Sequence, residues 1–525
     1  MKTMRSLLLG LSLSGAAWAL QGCQSFDSAE AGAGVRPPPE SISQPASEEI
    51  RERIRNLQAR WDREPIPIGL QRQTFYDDVI IARKKGAIER VRGEVKKLNG
   101  GQPVLTADRS WETVNYKWGV SGLAVNRDAE TGKFRMWYTA GLVVGGDAVE
   151  MGYAESDDGI VWTKPAGLRT FNNIVHRRAW GQGVYEDRQD PRPDHRLKMV
   201  FASYDQPYTN ISVLHGVMIA HSRDGRSWKN YPPDYFIGDC RSDTQNSLFW
   251  DEDIQAYRLV TRANELPRGV KQYAIPRLED SVFKMKRGRG PQWTFVQEKR
   301  MPLAKGEIYH FFMQKYGGLY LAYVSVLQND NANRLFVMVS RDGVSWNFDA
   351  IELGGDFLRI GPPSYFDEGS VWPPNSDLIT VGDQHWIYYV GSRGRHVMPP
   401  PAQSDEPPMF AIGLAAIRVD GFFHLRMSGI GLVETRTFEW AGDRLEVNCN
   451  ATRGKLWVEI VDATGKPLAG LSSSEADVVT QDAVHHVVSW KGSSDLSALR
   501  GRHVRLRFLF DGNVDLHAFQ VLAGK

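Results

Sequence analysis

Cysteine is scarce: the 525 residues hold three, Cys23, Cys240 and Cys449. A disulfide framework or a thiolate metal cluster needs more of them at closer spacing, so neither is expected, and Cys240 and Cys449 read as free, buried thiols in different domains. An excess of one charge is missing too. Lys+Arg 64 against Asp+Glu 62 leaves +2, which builds no polyanion-binding surface, and no nucleic-acid partner is expected. Nor is there a long apolar run, since the stretch Ser6 to Leu20 is too short to span a bilayer comfortably.

That short run follows the basic Met1-Lys2-Thr3-Met4-Arg5 and ends in Leu20-Gln21-Gly22-Cys23. The pattern is that of a secretory signal, and its end resembles the bacterial lipobox, in which a lipidated Cys becomes the mature N-terminus. The resemblance implies a signal peptide over 1–22, lipidation of Cys23, a membrane partner through the lipid, and placement in the cell envelope. Gln24, not Asp, favours the outer membrane or cell surface. Residues 23–69 read as a Ser/Pro-rich tether and a short helix, with Ile50, Ile54, Leu57 and Trp61 on one stripe for docking.

Glycine (50), proline (27) and aromatics (11%) are plentiful, as suits a turn-rich β protein. One sentence is repeated along the chain: Ser156-Asp157-Asp158-Gly159-Ile160-Val161-Trp162, then Ser222 to Trp228, then Ser340 to Trp346. Each copy follows an apolar strand, its Asp-Gly step supplies a tight turn, and its Trp returns to the sheet. Weaker echoes stand at Gly290-Pro291-Gln292-Trp293 and Asp420-Gly421-Phe422-Phe423. The intervals of 66, 65, 53 and 77 residues between the aromatics suit four-stranded blades with generous loops. The expected fold is all-β: a five-bladed β-propeller over 70–428, with Gln73 to Ile81 placed to close the ring. From 429 to 525, strands such as Lys455 to Ile460 and Val504 to Phe508 alternate polar and apolar residues, which predicts a β-sandwich. Core packing is expected for its Trp440, Trp457 and Trp490, with carbohydrate binding as the alternative.

In a propeller the first strand of each blade lines the channel, so polar residues at its start face a ligand. Arg241-Ser242-Asp243-Thr244-Gln245-Asn246 leads into blade three, Glu307-Ile308-Tyr309-His310 into blade four, and Asp367-Glu368-Gly369 into blade five. Crowded carboxylates shift one another's pKa, leaving one as acid and another as base or nucleophile, the pair that glycoside hydrolysis requires. Asp243, Glu307 and Asp367 are the candidate catalytic residues, and Arg241, Asn246, Tyr309, His310, Glu368 and His396 the candidate substrate-binding ones. Turn capping competes for Asp243, a salt bridge for Glu307, and a structural hydrogen bond for each histidine; Asp367 and Glu368, adjacent in a strand, point to opposite faces.

The five-blade layout, the S-x-D-G-x-x-W turns and the following sandwich resemble the glycoside hydrolase superfamily that includes families 32, 43 and 117. The resemblance covers about residues 70 to 525. It implies acidic residues projecting from channel strands into a central pocket, and a carbohydrate substrate. The family 32 signatures W-M-N-D-P, R-D-P and E-C-P are absent, Asp190-Pro191 being preceded by Gln189, so no catalytic residue transfers by motif. The expectation is a surface-anchored glycoside hydrolase, monomeric and without an organic cofactor. Ca²⁺ occurs in some relatives of that superfamily, though no ligand spacing for it is visible here. The alternatives are a non-catalytic glycan-binding lipoprotein and, third, a sialidase, for which no clear arginine triad is seen.

Overall fold

The computed structural model describes residues 45–113, 119–140, 150–168, 172–177, 179–203, 217–231, 245–263, 268–275, 294–300, 306–347, 351, 355–375, 377–396 and 408–524. Five antiparallel sheets succeed one another along the chain. Blade 1 is Ser121–Arg127, Phe134–Ala140, Glu150–Ser156 and Ile174–Arg177; blade 2 is Ala179–Glu186, Leu197–Ser203, Val217–Ser222 and Lys229–Asn230. Blade 3 is Ser247–Asp251, Ala256–Ala263, Gly269–Ile275 and Thr294–Arg300, and blade 4 is Gly306–Tyr316, Leu319–Gln328 and Asn333–Ser340. In blade 5 the inner strand is split into Ser370–Trp372 and Ile379–Val381, both paired with Gln384–Ser392, which pairs in turn with Phe410–Arg418.

Most blade strands are apolar on both faces because each blade is covered by a neighbour on both sides. Val200 and Ile219 of blade 2 pack on Leu248 and Tyr257 of blade 3. Val125 and Tyr138 of blade 1 pack on Tyr388 and Leu414 of blade 5, which closes the ring. Lys96–Lys97 completes blade 5 as its outermost strand, pairing with Ala415 and Ala416. The closing strand is therefore not Gln73 to Ile81. Gln73 and Thr74 pair with Phe519 and Ala518 of the C-terminal sheet, because Phe75 and Ile80 belong to that sheet's core.

The repeated turn has one geometry in all three copies. The Ser hydroxyl accepts the Gly N–H (2.8, 2.9 and 2.9 Å for Gly159, Gly225 and Gly343), and the Asp carboxylate accepts the next two backbone N–H groups. Each turn also staples its blade to the one before: Tyr388 donates to the Gly159 carbonyl at 2.8 Å, Trp137 to that of Gly225 at 2.6 Å, and Arg258 to that of Asp342 at 3.1 Å. Glycine is required at the tip. The φ at Gly225 is 73°, and a Cβ there would stand 2.3 Å from the Trp137 ring.

The C-terminal region is one continuous sheet, Ile81–Arg92, Phe423–Thr435, His503–Leu522, Arg444–Asp462 and Asp482–Val487 in order, with Gln73–Thr74 and Phe438–Glu439 also on His503–Leu522. Its long strands bend at bulges and enclose a core that includes Trp440, Val458, Phe508 and Trp490, making a β-sandwich. Two of its strands, Ile81–Arg92 and Phe423–Thr435, start before residue 429, so Asp420-Gly421 is the hinge from blade 5 into the sandwich rather than a rim turn. Cys449 is free, and burial pushes its thiol up to about 12. The helix Pro45–Ala59 lays Ile50, Ile54 and Leu57 on Ile254 and Ala256 of blade 3, as its stripe predicts.

Propeller and sandwich are joined by a buried polar node. Asp420, fully buried, accepts from Arg72 Nε (2.5 Å), Tyr316 OH (2.6 Å) and Asn448 Nδ2 (2.8 Å), while Arg72 Nη1 also donates to Glu446 at 2.8 Å. His385 continues the network to Tyr316 OH (2.9 Å) and Thr380 Oγ1 (3.0 Å).

Candidate functional site

The inner strands begin at one end of the ring, opposite the repeated turns, and three of the five are irregular there. The pairing slips at Gly122 in blade 1, at Gly181 and Gln182 in blade 2, and at Tyr309 in blade 4. A bulge ends strict alternation, bends the strand and re-aims the side chain. In blade 4 the result is that two consecutive rings, Tyr309 and His310, lie on the same side, with centroids 4.9 Å apart.

Below this mouth the axis is crossed by polar groups. Asn375 of blade 5 donates its backbone N–H to Leu123 O (2.8 Å) and its side-chain amide to Gln182 O (3.1 Å) and Asn246 O (2.5 Å), tying four blades together. Asn246, fully buried, donates to Gly181 O from its backbone at 2.9 Å and from its side chain at 3.4 Å. It forms part of the floor. A Cβ on Gly183 would stand 2.3 Å from the Asn246 carbonyl, which shows how closely the strands converge there.

The wall above blade 4 gathers four of the predicted residues. His396 reaches Tyr309 OH with Nε2 at 2.7 Å, and its own backbone N–H donates to Asn331 O at 2.8 Å, fastening the blade 5 loop to blade 4. Glu307 is held by Arg268 through Nη1, with about a quarter of each side chain exposed (23% and 26%). Two arginines that sequence reasoning missed complete the wall. Arg262, buried at the end of Ala256–Ala263, stacks over the Tyr309 ring at 4.7 Å, and Arg268 lies at 5.7 Å from the same ring. For Arg262 the one signal was a charged residue near the end of an apolar strand that also holds Arg258, and Arg268, outside any strand, gave none.

His310 is nine-tenths buried, at 9% exposure, and its Nδ1 has no hydrogen-bond partner. Burial first, then the positive charges of Arg262 and His396, hold its pKa well below the usual imidazole range, so it is neutral at neutral pH. A neutral imidazole offers one donor and one acceptor, the pair that a sugar hydroxyl matches.

The other predicted residues lie elsewhere. Asp367 is fully buried, and one carboxylate oxygen accepts from both Lys97 Nζ (2.5 Å) and Tyr389 OH (2.8 Å). It ties the middle strand of blade 5 to the closing strand Lys96–Lys97, and its other oxygen is buried with no hydrogen-bond partner. Glu368 accepts the Ser364 N–H at 2.7 Å and caps its own loop. Arg241, Asp243, Cys240 and Cys23 lie outside the described residues. Among the described residues no group of three or more His, Cys, Asp or Glu side chains is placed to hold a metal ion.

No family model matches the chain, and no curated protein matches it. Solved structures do resemble it. One is from the GH130 family of mannoside phosphorylases, at 12% identity over 63% of this chain and 96% of that one, with a TM-score of 0.38. Another is a fructofuranosidase from Schwanniomyces occidentalis with bound fructosylnystose, at 9% identity over 83% and 100%, TM-score 0.38. A third is the Bacteroides ovatus xyloglucan protein GH43B, at 7% identity over 82% and 100%, TM-score 0.36. The chemistry in those names belongs to those proteins. The propeller here rests on its own strand pairing.

Proposed function

We propose that this propeller is a glycoside hydrolase whose mouth binds a poly- or oligosaccharide, with Glu307 as one catalytic carboxylate. The observation that carries this reading is the convergence of Glu307, Tyr309, His310 and His396 at a bulged strand start above a closed floor. Neutral His310 supplies a hydroxyl partner, and Glu307 a carboxylate reached by solvent and oriented by Arg268. Asp243, which leads into blade 3, is proposed as the second carboxylate; Asp367 is assigned to packing. A lipid on Cys23 would hold the enzyme at the cell envelope, with the substrate outside.

A panel of plant and microbial glycans incubated with wild type, Glu307→Gln and Asp243→Asn tests this. Cleavage by wild type and its loss in both variants, with saccharide binding retained, is the expected result. A wild type that binds saccharides and cleaves none would replace this reading with a non-catalytic glycan-binding propeller.

A further inference from the structure

We propose that the joint between propeller and sandwich holds a second binding site, for a neutral saccharide, in a cavity of about 400 Å³ lined by His424 and His517. The site lies away from the mouth and does not depend on catalysis there. Antiparallel pairing fixes its place: Ser370–Trp372 starts at the mouth, so Gln384–Ser392 runs back toward it and Phe410–Arg418 away from it, which leaves Gln384 and Arg418 of the cavity at the far end of blade 5. The volume falls within the roughly 300–1,000 Å³ of small-molecule sites, which favour domain interfaces.

Strand periodicity builds the wall. Residues two apart share a face, so His424 and Arg426 of Phe423–Thr435 point one way while Leu425 and Met427 enter the sandwich core; on the neighbouring strand Asp515 and His517 flank Leu516, which also enters it. Arg426 stands opposite Asp515 in register and donates to it from Nε at 2.9 Å and Nη2 at 3.2 Å. The two imidazoles, 4% and 5% exposed, meet with ring centroids 4.5 Å apart. Nδ1 and Nε2 of His424 and Nδ1 of His517 are buried with no hydrogen-bond partner. His424 Nε2 stands 3.5 Å from Asp515 Oδ1, but that oxygen is already taken by Arg426. Such atoms cost about 1–3 kcal/mol each unless a ligand or water satisfies them.

The lining charges cancel, and this sets the class of ligand. Lys96, Arg418 and Arg426 are matched in number by Glu94, Asp383 and Asp515. Arg418 is spent on Asp482 at 2.6 Å and Asn448 at 2.9 Å, and Arg426 on Asp515, so neither guanidinium waits for an anion. Burial first, then the neighbouring His424 and Arg418, hold His517 well below the usual imidazole range, so it is neutral at neutral pH. A neutral imidazole offers one donor and one acceptor, which a hydroxyl matches. A saccharide carries several hydroxyls on one ring, so no single group has to reach both histidines, and Gln384 adds an amide at the exposed rim.

Hydrogen–deuterium exchange of the full chain tests this, in excess cellobiose, mannobiose or xylobiose, with glucosamine and glucuronate at the same concentration as cationic and anionic probes. Amides of 417–426 and 515–518 are expected to exchange about tenfold more slowly with a neutral sugar. That slowing is expected to vanish in His517→Phe and in Gln384→Trp, which fills the rim without entering the core, with thermal midpoints read alongside to show that each is folded. Slowing confined to 306–310 would put the saccharide at the mouth alone, overturning the second site and leaving the hydrolase reading intact. Slowing at the joint that survives both substitutions, or none there with any sugar, would overturn it as well. A stronger effect of glucosamine or glucuronate would overturn the neutral class.

Discussion

Two polar clusters sit at opposite margins of the propeller, and they are finished differently. At the joint with the sandwich, Asp420 meets Arg72, Tyr316 and Asn448, and every one of those partners is itself buried or nearly so. At the mouth, Glu307 is paired with Arg268, both stay partly exposed, and nitrogens on Arg268 and His310 are left over. A cluster whose donors and acceptors cancel stabilises a fold. One with a surplus is arranged for something that is not part of the chain.

The largest effect is expected where the cancellation is most complete. Asp420→Ala strands the Arg72 guanidinium and the Tyr316 hydroxyl, and removing one member of such a pair costs about 3–5 kcal/mol. Urea unfolding measures it. A loss below about 1 kcal/mol would mean that the joint is no more critical than the mouth.

Acid should also weaken this cluster. Burial holds His385 down to about 4, and the Asp420 charge, which pulls the other way, does not offset it. An unfolded imidazole titrates near about 6.5. Between those values the unfolded chain binds the extra proton, so this contribution is whole above about pH 6.5 and is lost as the pH falls toward about 4. It amounts to about 3 kcal/mol over that window. His385→Gln is expected to flatten the dependence of unfolding free energy on pH there, and an unchanged slope would remove His385 as its source.

The mouth should respond in activity instead. Glu307→Gln is expected to lower turnover by about 100-fold or more while shifting the urea midpoint little, since a general acid or base contributes on that scale and an exposed pair contributes about 1 kcal/mol or less to stability. Equal losses of activity and stability would put Glu307 in the same class as Asp420.

What could be foreseen follows the range of the physics. The S-x-D-G-x-x-W turn is legible because its Ser, Asp and Gly act on backbone within three residues, and the blade count followed from it. Glu307, Tyr309 and His310 can be singled out because strand starts face the channel, whereas His396 follows the strand Gln384–Ser392 and has no such signal. The bulge that turns Tyr309 beside His310 has none either, for a single inserted residue leaves no periodic trace. Arg262 and Arg268 reach the site from another blade, and the Lys97 that neutralises Asp367 stands 270 residues away in sequence. Lys96–Lys97 is too short to show a strand period, whereas Gln73 to Ile81 looked like a closing strand because its apolar residues were destined for the sandwich.

The smallest effect separates copies of one motif. Asp342 and Asp158 make the same two backbone hydrogen bonds, yet Asp342 is buried at 6% exposure and Asp158 lies at the surface. In both, alanine leaves two N–H groups of the turn without their acceptor. At Asp158 water replaces it. At Asp342 the carboxylate itself is buried, and the carbonyl of the same residue accepts from Arg258 of blade 3, so water reaches the vacated acceptor position less easily. Asp342→Ala is expected to cost about 1–2 kcal/mol, the scale of a lost cap, and Asp158→Ala a fraction of that. Equal urea midpoints for the two variants would show that the turn's hydrogen bonds count the same wherever they lie, and would weaken the argument that burial, rather than residue type, sets the worth of the carboxylates on this propeller.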